Sequence, residues 1–213
     1  MRERLLASAT QLFGERGIAA TTMAQIAEAA GVTSARVHYY FTNREKLLDA
    51  VVEERIAPSI AFVWASEESE AAQDPRALVE ELVARLFDVT SRMPWLPPLW
   101  LREIVNEGGL LRERMLTRLP VEQLQRFAVR IGEAQREGHV NAELEAPMLF
   151  ISILALVMLP LATSTIWQNL RGFPKIERDA LHRHVSALLS AALRPVPLQK
   201  PERRATAGKG SAS

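Results

Sequence analysis

Apolar residues recur at helical spacing through most of the chain, beginning in its first turn. Leu5, Leu6, Ala9, Leu12 and Phe13 stand at relative positions i, i+1, i+4, i+7 and i+8, which places them on one face of an amphipathic helix. Strand-like alternation of apolar and polar residues is not found in the sequence. The spacing therefore predicts an all-α fold with about nine helices.

Short helices follow the first one in close succession. Thr21 or Thr22 is a candidate N-cap for a second helix, which Gly31 ends, and Thr33 or Ser34 can cap a third. The buried side of the second helix is expected to carry Met23, Ile26, Ala27 and Ala30. The third helix should end near Phe41, and a fourth, capped by Thr42 or Asn43, should run to about Trp64 with Leu47, Leu48, Val51 and Val52 on its apolar stripe.

The second half of the chain has longer helical segments separated by Pro and Gly. Residues 67–74 are polar and acidic and are predicted to form a loop. Helices are then expected from Pro75 to about 93, from the Pro-rich break at 94–98 to about 107, over 110–137 with an interruption at Pro120, over 144–170 and over 176–193. The tail after Pro195 is rich in Pro, Lys, Arg, Gly and Ser, so we expect residues 195–213 to be disordered.

The second and third helices have the spacing of a helix-turn-helix. The small Ala27 allows the helices to approach closely, Gly31 tolerates the positive φ of a tight turn, and Val32 and Val37 can anchor the third helix. No acidic residue falls between Ala29 and Arg44, so no carboxylate would repel phosphate there. This pattern favours a DNA-reading motif whose third helix enters the major groove.

Residues 21–48, TTMAQIAEAAGVTSARVHYYFTNREKLL, resemble the DNA-binding signature of the tetracycline-repressor (TetR) family. The resemblance covers roughly the first quarter of the chain. It implies base-edge contacts from Ser34, Ala35, Arg36 and His38, and phosphate contacts from Thr22, Thr33, Tyr39, Tyr40 and Arg44. Such roles suit these residue types, because hydroxyls position a protein on phosphate and Arg pairs with guanine. His38 stands where the family often has Tyr, and Arg44 stands where it usually has Lys. The resemblance therefore does not indicate which DNA sequence the protein prefers.

Each of these positions also has a plainer interpretation. Tyr39 and Tyr40 can simply pack, His38 can be an ordinary surface histidine, and Arg36 can be a solvated charge. Phe41, together with Val37, Ile26 and Leu47, is expected in the core without a direct role in recognition.

Composition and charge narrow the classes of function. The 213 residues carry 26 Lys and Arg against 25 Asp and Glu, a net charge of +1, so any DNA contact must be local rather than spread over a polycation. The absence of Cys excludes disulfides, iron–sulfur clusters and Cys-ligated zinc. The first twenty residues lack the features of a signal peptide, and a cytoplasmic location is expected.

Catalysis is not expected from this sequence. The four histidines, His38, His139, His182 and His184, form no metal-binding or catalytic motif, and an i, i+2 pair points to different sides of a helix. Glycine-rich phosphate loops and nucleophile-elbow motifs are absent. We therefore predict a protein that is not an enzyme and needs no cofactor and no metal.

Residues from about 50 to 194 form a body larger than DNA positioning requires. The family resemblance implies that its middle helices enclose a ligand pocket and that the last two helices pair with those of a second subunit. Candidate ligand-binding residues are Trp64, Trp95, Trp100, Glu103, Met115, Phe127, Met158 and Trp167. Each large apolar residue can equally be core, and Arg102 and Glu103 can equally lie on the surface. As a group they indicate an apolar or aromatic ligand.

The segment Met148–Ile166 is nearly all apolar, and by length it could cross a bilayer. Pro160 and four hydroxyl residues interrupt it, and no positive cluster flanks its start, so burial against the core and a partner subunit is the simpler interpretation. In the last helix the corresponding stripe is Leu181, Val185, Leu188, Leu189 and Ala192.

Together these observations predict a helix-turn-helix DNA-binding domain at residues 1–46, a ligand-binding and dimerisation domain at 47–194, and the tail. The expected function is that of a transcriptional repressor that binds palindromic operator DNA as a homodimer and is released by a small inducer. The competing hypothesis is a DNA-binding protein that senses no ligand. A cavity of about 300–1,000 Å³ in the body would favour a sensor over that hypothesis.

Overall fold

The computed structural model describes residues 1–65 and 74–196. Over those ranges the chain is helical and contains no strand, which confirms the all-α prediction. The α-helices are α1 Arg2–Arg16, α2 Met23–Ala29, α3 Ser34–Tyr40, α4 Arg44–Val51, α5 Ala57–Trp64, α6 Pro75–Arg92, α7 Leu96–Trp100, α8 Arg112–Leu116, α9 Val121–Arg136, α10 Ala146–Ala162, α11 Ser164–Asn169 and α12 Arg178–Ala192. Most of the loop expected at 67–74 and most of the tail expected after 195 lie outside the described residues.

Two π-helical turns interrupt this α-helical framework. The first π turn, Val52–Ile56, joins α4 to α5 without a break, so the fourth helix runs to Trp64 as expected. The second π turn, Leu101–Val105, continues α7. The expected boundary between the two domains, at residues 46 and 47, falls inside α4.

Side-chain caps determine where the short N-terminal helices begin. Thr22, rather than Thr21, is the N-cap of α2 and forms a capping box with Gln25, in which each side chain accepts from the other residue's backbone N–H. Asn43 caps α4 by accepting from the backbone N–H of Lys46 at 2.9 Å. These caps satisfy N–H groups that have no partner within the helix.

The first four helices pack around a small apolar core. Phe13 from α1, Ile26 from α2, Val37 from α3, Phe41 after it and Leu47 from α4 are all buried, as the sequence predicted. Gly31, with φ of 62°, makes the turn between α2 and α3. This core presents α3 with only Val37 inward and the rest of the helix toward the surface.

The long helix predicted over 144–170 is divided into two. Thr163 adopts φ −102° and ψ 10°, and its hydroxyl donates to the carbonyl of Leu159 at 2.8 Å, so α10 ends at Ala162 and α11 begins at Ser164. Pro160, which lacks a backbone N–H, lies in the last turn of α10 and weakens the helix there. Within the described ranges no helix has both the length and the apolar character that crossing a bilayer requires.

The N-terminal helices meet the body at a very close contact between α1 and the start of α7. A Cβ atom built on Gly14 would lie 2.6 Å from the Cβ of Trp95 and 2.9 Å from its Cα. Distances this short leave no room for any side chain at position 14. Gly14 therefore sets the distance between the N-terminal helices and the body.

The first prediction compares two glycines that both lie inside helices. Gly14→Ala should lower the free energy of unfolding by about 1–3 kcal/mol, because the added methyl group overpacks against Trp95. Gly132→Ala, in α9 with nothing within 4 Å of its Cβ position, should raise it by about 0.5–1 kcal/mol through helix propensity. Urea unfolding followed by circular dichroism measures both, and equal effects of the two substitutions would contradict the contact.

Candidate nucleic-acid interface and ligand cavity

The outer face of α3 is a polar, exposed surface. Ser34, Ala35, Arg36, His38 and Tyr39 are exposed, and the side chain of Tyr39 is 78% accessible. Thr22 and Thr33, at the starts of α2 and α3, are exposed as well. The structure therefore brings most of the predicted DNA-contacting residues onto one accessible surface.

Arg36 is the most available cation on this surface. Its guanidinium makes no hydrogen bond or ion pair with any of the described residues. His38 is held more firmly, since its Nδ1 lies 3.3 Å from the carbonyl oxygen of Thr42 and must donate to it. The Nε2 atom of His38 is then the nitrogen left to face solvent or a ligand.

The two tyrosines and Arg44 differ from the other candidates because they also contact the protein. The rings of Tyr39 and Tyr40 meet edge to face with centroids 5.1 Å apart, and Tyr40 packs partly against the core. Arg44 donates from Nη1 to the carbonyl of Thr21 at 2.7 Å and from Nη2 to that of Ile18. These bonds engage both terminal nitrogens of Arg44 in joining α4 to the loop between α1 and α2.

An apolar cavity of about 140 Å³ lies in the body between the middle helices. Four of the predicted ligand-binding residues line it, namely Trp64, Trp100, Met115 and Met158. None of the described residues that line it is charged, and Ser59 and Thr90 supply its hydroxyl groups. The volume is below the range of about 300–1,000 Å³ that would favour a sensor over a DNA-binding protein without one, so a drug-sized ligand would have to displace side chains.

The other four candidate residues lie elsewhere. Phe127 is buried one layer away, with its ring 6.2 Å from that of Trp64. Trp95 packs on Gly14, and Trp167 lines a separate cleft near the start of α12. Glu103, also predicted to bind the ligand, does not line the apolar cavity.

Glu103 instead connects the N-terminal helices to the body. Its side chain is buried, with 7% exposure, and its Oε1 accepts from the backbone N–H of Ile18 at 3.0 Å. Its Oε2 accepts from the backbone N–H of Leu110 at 3.1 Å. The sequence pattern predicted Glu103 as a ligand-binding or a surface residue, but it is neither, and its partner Ile18 is 85 positions away and could not be inferred from spacing.

Ion pairs at the surface supplement this connection. Arg102 donates to the carbonyl of Glu15 at 3.2 Å, and Arg118 pairs with Glu53. Arg114 donates from Nε to Asp49 at 2.9 Å and also pairs with Glu45. The hydrogen bond from Arg114 holds the pKa of Asp49 below its usual value.

Comparisons with known proteins agree with this arrangement. The family described as "Bacterial regulatory proteins, tetR family" matches residues 5–51, which span α1 to the end of α4. This match is confined to the N-terminal helices. The chain is also similar to the probable HTH-type transcriptional regulator YttP of Bacillus subtilis, with 26% identity over 75% of this chain and 76% of that one. It is 33% identical to the transcriptional regulator TtgR of Pseudomonas putida over 41% of each chain.

The similarity in fold extends beyond the N-terminal helices. The ketosteroid transcriptional regulator KstR2 of Mycobacterium tuberculosis superposes with a TM-score of 0.72 at 19% identity, covering 91% of this chain and 95% of that one. The hemolysin II regulator HlyIIR superposes with a TM-score of 0.64 at 20% identity. Residues 5–51 thus match a family of bacterial regulatory proteins, and the fold of the body is also found among transcription regulators.

The second prediction tests the connection through Glu103. Glu103→Gln replaces one acceptor oxygen by an amide NH₂, which would face a backbone N–H, so it should lower the free energy of unfolding by about 1–3 kcal/mol. Glu107→Gln, the same chemical change at an exposed position four residues after Glu103, should have almost no effect. Urea unfolding measures both, and an unchanged stability of Glu103→Gln would contradict the two hydrogen bonds.

Proposed function

We propose that this chain is a cytoplasmic repressor that binds a palindromic operator as a homodimer and releases it when a small apolar molecule occupies the body. The observation that carries this proposal is the placement of residues 100–104. Trp100 and Ile104 line the apolar cavity, while Glu103 between them binds Ile18 of the N-terminal helices. A change in the cavity wall would therefore act directly on the DNA-binding part.

The DNA-binding part in this proposal is residues 1–46. Ser34, Ala35, Arg36 and His38 would contact base edges, because they face outward from the first turns of α3. Phosphate contacts would come from Thr22, Thr33, Tyr39 and Tyr40. Arg44, at the N-terminus of α4, would also contact phosphate. Since Arg44 already binds two carbonyls, its larger contribution would be to hold α4 against the loop at Ile18.

The dimer in this proposal forms through α10 and α12. Four large apolar side chains on these helices are 44–53% exposed, namely Met148, Ile151 and Leu159 of α10 and Leu188 of α12. Contact of so much apolar surface with water is unfavourable, and a patch of this kind often marks an interface. Pairing these helices with those of a second copy would bury them. Two α3 helices could then enter successive major grooves if they stand about 34 Å apart.

The ligand in this proposal is an uncharged apolar or aromatic molecule. The walls of the apolar cavity contain no charged group to neutralise an ion, and an unpaired charge would be costly there. Ile56 of the first π turn and Ile60 of α5 also line the cavity, so occupancy would press on the helix that continues α4. Displacement of that helix and of Glu103 would change the separation of the two α3 helices.

The third prediction concerns recognition of the operator. The DNA for this test is first selected from genomic fragments that bind the full-length protein. These operator fragments then serve as the probe in binding titrations. Arg36→Ala should weaken operator binding by about tenfold or more, because a bidentate Arg–guanine contact contributes about 1–3 kcal/mol. Arg136→Ala, an exposed arginine on α9, should leave binding unchanged. Equal affinities for the two variants in a fluorescence-anisotropy titration would remove Arg36 from the proposed interface.

The fourth prediction concerns the apolar cavity and uses the uncharged dye N-phenyl-1-naphthylamine as the ligand. The dye should bind the protein and weaken operator binding about 5- to 150-fold, the range of a coupling free energy of about 1–3 kcal/mol. Leu154→Trp fills the cavity and should abolish both effects, whereas Val129→Trp, on the exposed side of α9, should retain them. If the dye occupied the cavity and operator affinity did not change, the protein would be a DNA-binding protein without a sensor.

A further inference from the structure

A second cavity, with a volume of about 230 Å³, lies where several helices begin and end. It is bordered by Thr90 near the end of α6, by Pro97 of α7, by Pro160 and Leu161 of α10, by Trp167 of α11 and by Arg178 at the start of α12. It shares only Thr90 with the apolar cavity described above. We call it the Arg178 cavity.

Among the residues that the structure describes, Arg178 is the only charged one that lines the Arg178 cavity. Its Nη2 donates to the carbonyl of Phe87 at 2.8 Å and to the hydroxyl of Thr90. Its guanidinium also lies over the ring of Phe87, 5.8 Å from the centroid. These contacts fix the guanidinium against α6 in one orientation.

Three of the five N–H donors of Arg178 remain available. Nη1 and Nε make no hydrogen bond to any residue in the described parts of the chain, and no carboxylate there forms an ion pair with the guanidinium. Partial burial lowers the pKa of Arg178, although an arginine stays charged at any physiological pH. Asp179, the next residue of α12, acts on the guanidinium as a nearby negative charge but forms no ion pair with it. A positive charge that is partly removed from water and has no carboxylate bonded to it favours the binding of an anion.

The surroundings of Arg178 restrict the kind of anion. Three prolines, Pro94, Pro97 and Pro160, form rigid walls without backbone N–H donors, and Leu161 and Leu181 add apolar surface. A single guanidinium balances one negative charge, whereas a phosphate ester carries nearly two at neutral pH and would need a second cation. The volume suits a molecule smaller than a typical drug.

We propose that the Arg178 cavity binds a small monocarboxylic acid with an apolar body. The carboxylate accepts hydrogen bonds from the free nitrogens of Arg178, and the side-chain amide of Gln168 lies on the same cavity wall as a further donor. The apolar body packs against the prolines, Leu161 and Trp167. This site is distinct from the uncharged site of the proposed function and does not depend on it.

Phenylacetate and its neutral isostere phenylacetamide provide the matched pair of probes. Titrated calorimetrically into the full-length protein, phenylacetate should bind saturably, and phenylacetamide should bind at least tenfold more weakly. Arg178→Gln should weaken phenylacetate at least tenfold and leave phenylacetamide unchanged. Arg183→Gln, an exposed arginine on the same helix, should change neither affinity.

Because Arg178 also holds α6, its replacement could disturb the fold, so a second variant is needed. Leu181→Trp fills the Arg178 cavity without removing the charge and should block phenylacetate. Urea unfolding verifies that each variant is folded, and retained binding of N-phenyl-1-naphthylamine verifies that the neighbouring apolar cavity is intact. The proposal is overturned if phenylacetate does not bind, binds no better than phenylacetamide, or binds equally well to Arg178→Gln and Leu181→Trp.

Discussion

The buried carboxylate of Glu103 is the interaction on which the arrangement of this molecule most depends. A carboxylate removed from water is costly unless hydrogen bonds replace its hydration, and Glu103 obtains them from the backbone N–H groups of Ile18 and Leu110. The backbone around it is equally constrained. A Cβ on Gly109 would lie 2.3 Å from the carbonyl oxygen of Glu103, so the chain can fold back over the second π turn only with glycine at that position. The position of the N-terminal helices is thus tied to the geometry of one short turn.

The two π turns occur where this connection and the apolar cavity meet. Ile56 closes the first π turn, Ile104 lies in the second, and both line the apolar cavity. A π-helical turn is wider than an α-helical one and often marks a functional position, because it gives up regular hydrogen bonding to place particular side chains. Here the second turn places Ile104 toward the cavity and Glu103 toward Ile18. The cavity is therefore bounded by the segments that lead to the DNA-binding helices.

A feature could be predicted from the sequence when the residues that determine it are close together along the chain, and not when they are far apart. The caps at Thr22 and Asn43, the turn at Gly31 and the buried Val37 depend on residues within a few positions of one another, so the exposed face of α3 could be predicted. Glu103 could be recognised as unusual but not placed, since its partner comes from a distant part of the chain. The size of a side chain also does not show whether the residue lines a cavity or is packed in the core. Trp64 and Phe127 are both large, buried and in contact, yet only Trp64 reaches the cavity.

The contacts between the N-terminal helices and the body are of two unequal kinds, and this inequality suits a regulator. The ion pair of Arg118 with Glu53 is about half exposed and that of Arg114 with Asp49 is partly exposed, and an exposed pair contributes only about 0–1 kcal/mol, so these pairs tolerate movement more readily. The contact of Gly14 with Trp95 and the hydrogen bonds of Glu103 are short and closely packed, so they resist movement. Both of the resistant contacts come from residues 95–103, which continue directly into the wall of the apolar cavity at Ile104. A shift of this one segment would therefore move the N-terminal helices as a unit, while the surface ion pairs adjust without opposing the change.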